Sequence, residues 1–474
     1  MQNNRTGPGA VSRRRFLQST GAAAAAFTIM PRRVLGGPGY TAPSDTVNVA
    51  IIGAGGQGIQ NLRELLEQPD VRIPAVCDVA ETVDYSRFYY GGAGGRLPAI
   101  ELVERRQAGR NSGEGAFRCA GYADFRRMLD REKALDAVLV ATPDHTHAVA
   151  VMAAIRSGKH VYCEKPLAHS VWEVRRITEE AAAAGVATQM GNQGHSGEGI
   201  RLTVEWLAAG AIGTVREVHS WATGFDPLPG RTGCPRDLPP VPAGMDWDLW
   251  IGPAPYRPYH PAYAPFNWRD WWDFGTDIIG DMGCHNMDPA FWALDLGAPE
   301  SAHARIVPGD PEMTPYASTV HYKFPARGER PAVRMTWYSM LMPPRPEEFE
   351  PGRDLIGDGN GILFVGDRGK MLCGGWGGSP RLIPETRMRD FERPPRTLTR
   401  SMGHHRDWIE ACKGGPAASS NFQVAGPVTE AVLLGAAAIR SGKYLDWDSA
   451  NMRVTNCSDA DPFIRPEYRN GWTL

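Results

Sequence analysis

Asp281 and His285 stand four residues apart in GDMGCHNMD (280–288), a segment whose pattern predicts the start of a helix. That spacing puts both side chains on one helix face, a turn apart. A carboxylate beside an imidazole can orient the ring and raise its basicity. Imidazole titrates near neutrality, so the pair suits general-base chemistry. An exposed surface pair has the same spacing, and the rest of the chain must decide between the two. Lys165, in GKHVYCEKPL (158–167), follows a strand-like run and is held by Pro166. An ammonium there can stabilise negative charge on a reacting oxygen; a surface lysine after a strand is the plainer alternative.

The elements that must position these groups begin at GAGGQG (53–58), a G-x-G-x-x-G sequence. It follows the alternating run VNVAII and precedes NLRELLEQ (61–68), with leucines at helical spacing; VRIPAVCD (71–78) returns as a strand. This is a βαβ unit with an acid at the end of its second strand, the context the glycine motif needs. Gly53 allows the tight turn, Gly55 lets a pyrophosphate approach the backbone, and Gly58 permits close helix–sheet packing. The helix N-terminus favours phosphate. Asp78 is placed to accept hydrogen bonds from an adenosine ribose and to repel a 2′-phosphate, selecting NAD over NADP. A glycine turn in a cofactor-free α/β domain is the alternative.

Strand-like runs at 134–143, 160–166 and 186–191 alternate with helical ones at 147–158 and 170–185. That alternation predicts a parallel sheet with helices on both faces. After a helix (197–210), a strand (214–223) and a Pro- and Trp-rich stretch, strands at 301–308, 317–325, 332–340 and 361–373 succeed one another without helices, the last turning at GDRGK. They predict an open, mostly antiparallel sheet. Helices at 404–413 and 426–441 and a polar tail close the chain. The fold class is therefore α/β: a Rossmann dinucleotide-binding domain (46–191), then an α+β domain (192–442), then a tail (443–474).

Lys and Arg total 51 against 53 for Asp and Glu, a net charge of −2 that offers no footprint for nucleic acid. The eight cysteines form no C-x-x-C pair, and no metal site is expected. His145 and His147 could pair on a metal, but without a further ligand they read as polar lining; His404 and His405 are assigned no chemistry. Trp268, Trp271 and Trp272 suit either stacking on a sugar's apolar face or packing between domains. GNQGHSG (191–197) ends the last parallel strand, so Asn192, Gln193 and His195 are candidates for substrate or nicotinamide-ribose contact by position alone. SRRRFLQ (12–18) followed by GAAAAAFTIM (21–30) has the layout of a twin-arginine export signal, with Gln18 where lysine is common. The apolar run is too short to span a bilayer. Periplasmic delivery is expected, with the signal occupying residues 1–45 together with its linker.

G-x-G-x-x-G, ATPDHTH (141–147) and GKHVYCEKPL, in this order and spacing, resemble the glucose–fructose oxidoreductase/inositol dehydrogenase (Gfo/Idh/MocA) family. The export signal, WRDWWDFGTDIIGDMGCHNMD and the ending YRNGW resemble its secreted branch. The resemblance implies NAD held by Gly53, Gly55, Gln57, Gly58, Asp78, Thr142, Pro143, His147, Glu164 and Lys165. It implies catalysis by Lys165, Asp281 and His285, with Asp281 orienting the histidine, and substrate contacts from Asn192, Gln193, His195 and Trp271. It further implies a homo-oligomer acting on a small carbohydrate, oxidising or reducing a hydroxyl or keto group of a sugar, polyol or glycoside. The alternatives are a redox-neutral glycosidase that retains NAD and a non-catalytic dinucleotide-binding scaffold.

Overall fold

In the computed structural model, which describes residues 45–108, 117–223, 233–352, 355 and 359–474, the continuous apolar runs become the centre of a parallel sheet. The export segment with Arg13 and Arg14 lies outside the described residues. Strands β1 (Val47–Ile52) and β2 (Val71–Cys77) are followed by a short ladder, β3 (Val83–Asp84) with β4 (Ala93–Gly94). Then come β5 (Ala120–Tyr122), β6 (Ala137–Val140), β7 (His160–Glu164) and β8 (Thr188–Gly191). The sheet order is β5-β2-β1-β6-β7-β8, every neighbour parallel. Val49, Ile51, Val138, Leu139 and Val161 are fully buried, because helices cover both faces and leave no polar side. β2 departs to one side of β1 and β6 to the other. The crevice at the carboxyl end of β1 is therefore a topological switch point, where such sheets bind ligands.

The second sheet contains β9 (Val215–Ala222), β10 (Ser301–Val307), β11 (Ala317–Phe324), β12 (Val333–Ser339), β13 (Asn360–Gly366), β14 (Gly369–Gly374), β15 (Arg381–Ile383), β16 (Tyr444–Asp448) and β17 (Arg453–Val454). Its order is β15-β14-β13-β9-β12-β11-β10-β16-β17, antiparallel except where β9 meets β12. Val320, Tyr322 and Phe324 alternate inward along β11 while His321 and Lys323 stay exposed, the signature of a sheet covered on one face. Helices Asp277–Asn286 and Phe422–Ser441 supply that cover.

Three expectations need correction. The residues from 443 are not a tail: β16 pairs with β10, and Leu445 and Trp447 point inward from an alternating YLDWD. The last long helix starts at Phe422 rather than 426, because the Asn421 side chain accepts from the Gln423 N–H and caps it. Its length and apolarity would suit a membrane span, yet it is a core helix packed against Val171–Ala184 and Asp277–Asn286. The 280–288 stretch covers the later turns of helix Asp277–Asn286 and enters the next, rather than starting one.

Candidate active site

At the crevice, β1 runs into Gly53, whose φ of +85° is left-handed; a Cβ there would lie 2.6 Å from the Ala141 carbonyl oxygen. A Cβ on Gly58 would lie 1.9 Å from Gly53 O, so helix and turn touch only through glycine. Helix Gly56–Glu67 begins immediately after, with no side chain capping its first amides, which leaves N–H groups of the kind that bind pyrophosphate. Against Gly55, where the sequence predicts a phosphate, the Tyr85 hydroxyl already makes a close approach, 2.2 Å from a notional Cβ. Asp78 accepts from Ala54 N at 2.7 Å and Ala80 N at 2.8 Å, one through each oxygen. Burial pushes this carboxyl up and the two amides oppose that shift. Its position, the glycine cradle and the free helix end fit an NAD adenosine and pyrophosphate. Asp78→Ala is expected to weaken NAD binding about tenfold or more and to relax discrimination against NADP. Calorimetric titration with both cofactors checks this, and a wild-type preference for NADP would refute the role of Asp78.

A cavity of about 510 Å³ runs from Asp78 past Thr142 and Pro143 to Lys165, Asp281 and His285. The three candidate groups share this one space. Lys165 Nζ donates to Asp281 Oδ1 at 2.5 Å, and Arg269 Nε lies 3.7 Å from the same oxygen. Burial would lower the lysine pKa, but the Asp281 carboxylate outweighs it and the net direction is up. Burial likewise pushes Asp281 up, yet Lys165 and Arg269 together hold it well below the usual carboxylate range. His285 is pushed down to about 3, by burial first and then by Lys165, with Asp281 opposing. Its ring is neutral at physiological pH, and the buried Nδ1 has no hydrogen-bond partner.

This corrects the expected relation between acid and histidine. Asp281 does not orient His285. Both occupy one helix face, but the carboxylate bonds to a charged donor, and a charge-assisted bond outcompetes one to a neutral ring. His285 is positioned instead by packing, its ring centre 5.6 Å from that of Trp376 in an edge-on arrangement.

Gly53, Gly55, Gln57, Asp78, Thr142, Pro143, His147, Glu164, Lys165 and Gln193 all line the cavity. Glu164 Oε1 accepts from Asn61 at 2.8 Å and Gln193 at 2.9 Å. His405 approaches Asn61 from behind at 3.1 Å, so it braces this network. The His147 ring nitrogens face Pro166 O at 2.7 Å and Thr142 O at 2.8 Å, tying two strand ends together. His145 faces Trp250 O at 3.0 Å; both rings are committed to backbone, in the first turn of helix Asp144–Arg156 rather than in a loop.

Three expected substrate contacts do not line the cavity. Asn192 and His195 are buried, both bonded to Asp288 Oδ2, at 3.1 and 2.8 Å. The His195 ring also stacks on Trp292. Trp271 is 1% exposed and donates to Ala262 O, within an aromatic cluster that includes Trp247, Trp250 and Phe274. A parallel strand's end marks the crevice, but backbone turns decide which side chains reach it.

Arg269, Trp376, Asp144 and Trp472 line the cavity without having been singled out. Arg269 sits inside the WRDWW run whose tryptophans drew attention, and its guanidinium lies 4.5 Å from the Phe266 ring centre and 4.2 Å from that of Trp268. Trp376 is 52% exposed with φ +59°, a costly conformation for a bulky residue. Its N–H bonds Asn286 Oδ1, and Gly194 makes room for it: a Cβ on that glycine would meet the Trp376 Cβ at 2.4 Å. The signal for Trp376 was its setting in GGWGGS, four glycines around one indole.

Residues 89–192 match the model of the GFO_IDH_MocA oxidoreductase family, NAD-binding Rossmann fold, and residues 208–308 match that family's C-terminal α/β domain. In these two segments the chain is similar to the Gfo/Idh/MocA family. An inositol 2-dehydrogenase of Rubrobacter xylanophilus is 28% identical over 192 residues, 40% of this chain and 47% of that protein. A glycosyl hydrolase family 109 protein of Saccharopolyspora erythraea is 33% identical over 139 residues, 29% of this chain and 27% of that one. The aligned part thus spans less than half the length of either relative. The fold also matches the WlbA dehydrogenase of Bordetella pertussis, solved with NADH and UDP-GlcNAcA: TM-score 0.56, 15% identity, 85% of this chain and 99% of that one.

Proposed function

We propose that the protein is an NAD-dependent oxidoreductase acting on a hydroxyl or keto group of a sugar, polyol or glycoside, in the secreted branch of the family. The observation that carries this is the convergence of Lys165, Asp281 and His285 at the end of the cavity away from Asp78. Bound NAD supplies the hydride acceptor. A carbinol hydroxyl placed against His285 gives its proton to the neutral ring, which burial keeps free of a proton at neutral pH. The Lys165 ammonium donates to the same oxygen as negative charge develops on it. Asp281 keeps that lysine charged and in place through the 2.5 Å bond. The Trp376 indole provides an apolar wall beside the histidine. A homo-oligomer assembled through the C-terminal domain belongs to the same reading.

The glycosidase alternative draws its specific support from glycosyl hydrolase family 109 relatives. It would begin with the same oxidation and return the hydride after losing the aglycone. Mass spectrometry of the native protein, followed by a panel of sugars and glycosides, separates the two. The proposal expects net NADH formation; aglycone release without consumption of added NAD would replace it with the hydrolase, and neither activity would sink both.

Export through the twin-arginine pathway is proposed from S-R-R-R-F-L and the alanine-rich run behind it. Free NAD is scarce outside the cytoplasm, and this route carries folded proteins with their cofactor aboard. Replacing Arg13 and Arg14 by lysine is expected to leave folded protein in the cytoplasm, read by cell fractionation. Unchanged periplasmic delivery would remove the assignment.

A further inference from the structure

Arg269 is a second cation at the substrate end, and the reaction as proposed gives it nothing to do. Its guanidinium lines the cavity and is held between Phe266 and Trp268, so it cannot swing out to solvent. Nη1 donates to Phe266 O at 3.2 Å and Nη2 to the Tyr90 hydroxyl at 3.4 Å. Nε has no hydrogen-bond partner. An arginine has five N–H donors, so one on each terminal nitrogen, as well as Nε–H, is left without an acceptor among the described residues.

The acids around it leave those donors open. Lys165 and Arg269 share one carboxylate oxygen, Asp281 Oδ1, at 2.5 and 3.7 Å. Asp144 accepts from the Thr276 hydroxyl at 2.6 Å, and burial lifts it to about 7. Glu164, next to Lys165, accepts from Asn61 and Gln193. His285 is neutral. A buried cation is costly unless an anion meets it, and among the described residues no carboxylate accepts a hydrogen bond from this guanidinium.

Resting on the oxidoreductase reading, we infer that the substrate is an acidic sugar whose carboxylate binds the free edge of Arg269. A planar guanidinium and a carboxylate match two bonds to two, and the open donors of Arg269 offer that edge. A phosphorylated sugar presents the same kind of acceptor with more charge, and is the competing source.

The test is binding of glucuronate, glucuronamide, glucose and glucose 6-phosphate to the NADH-loaded protein, read by tryptophan fluorescence. Trp268 and Trp376 lie in the cavity wall. Glucuronate is expected to bind at least about tenfold more tightly than glucose or the neutral amide, the worth of a charge-assisted pair. In Arg269→Met this preference should fall to within about twofold, with Arg269→Lys in between. NADH affinity should hold in both. Glucose or glucuronamide binding as tightly as glucuronate to the wild type overturns the inference without any variant. So does a preference that survives in Arg269→Met. Tighter binding of glucose 6-phosphate than of glucuronate overturns the carboxylate assignment. The oxidoreductase reading fails separately, when glucuronate binds selectively but no tested sugar yields NADH.

Discussion

His285→Ala is expected to lower turnover by about 10²–10⁴-fold, the usual worth of general-base assistance, while NAD binding is unchanged. The ring lines the cavity beside Lys165, and its removal takes away the one imidazole among the described lining residues with an unpartnered nitrogen. A loss below about tenfold would mean that another group takes the proton. The pH profile sharpens the test. A histidine held at about 3 by burial is already deprotonated throughout the physiological range. The wild-type kcat/KM should therefore show no acidic limb from this ring near its ordinary value. Asp144, lifted by burial to about 7, is the group that titrates there. A limb near pH 7 that vanishes in Asp144→Asn would belong to that carboxyl; a limb that vanishes in His285→Ala would show the ring to be far more basic than its burial implies.

Asp281→Asn is expected to destabilise the protein by about 3 kcal/mol, the lower range for leaving a buried charge unpaired. Asn keeps the shape, but Lys165 and Arg269 then face each other with no carboxylate between them. The sign with pH follows from the two partners. In the wild type Asp281 lies below its ordinary 3.8, so its contribution is present above that pH and fades as the acid protonates; the gap to the variant closes on acidification. On the basic side, wild-type Lys165 lies above its ordinary 10.5, so its contribution is lost only as pH rises beyond that. In the variant, burial and Arg269 both lower the lysine, so stability recovers as pH rises and the proton leaves. Urea midpoints at about pH 2.5, 7 and 9.5 read this out. A variant as stable as wild type at pH 7 would show the ion pair to be solvated and worth little. Turnover should fall as well, since a lysine that loses its proton no longer supports the developing oxyanion. Asp281→Glu should recover part of both.

The Rossmann half was legible because its signals are local. A glycine turn, an acid at the next strand's end and apolar runs of strand length each reflect constraints acting within a few residues, and β1, β2 and Asp78 appear where the pattern put them. The second sheet was legible in kind, because strands succeeding one another without helices leave few options. Its β16 and β17 were passed over because turns and polar residues around YLDWD masked a five-residue alternation.

The site divides along the same line. Spacing and motif were enough to mark Lys165, Asp281 and His285 as candidates, since helix period and strand ends place them on predictable faces. Which of them touch was not in the sequence. The Asp281–Lys165 bond joins residues 116 apart, and it displaced the local Asp281–His285 relation because a nearby opposite charge is a stronger partner than a neutral ring on the same helix face. Asn192, His195 and Trp271 followed the same logic in reverse: their types suit a sugar, but Asp288, Trp292 and Ala262 claim them first. Arg269 and Trp376 reach the cavity only because an aromatic clamp and the space over Gly194 aim them there. The sequence by itself determined the βαβ fold, the glycine turn and acid that suit a dinucleotide, and the chemical types available. Only the tertiary structure decided their pairings, because an ion pair or a stacked ring depends on distance in space, and separation along the chain does not report it.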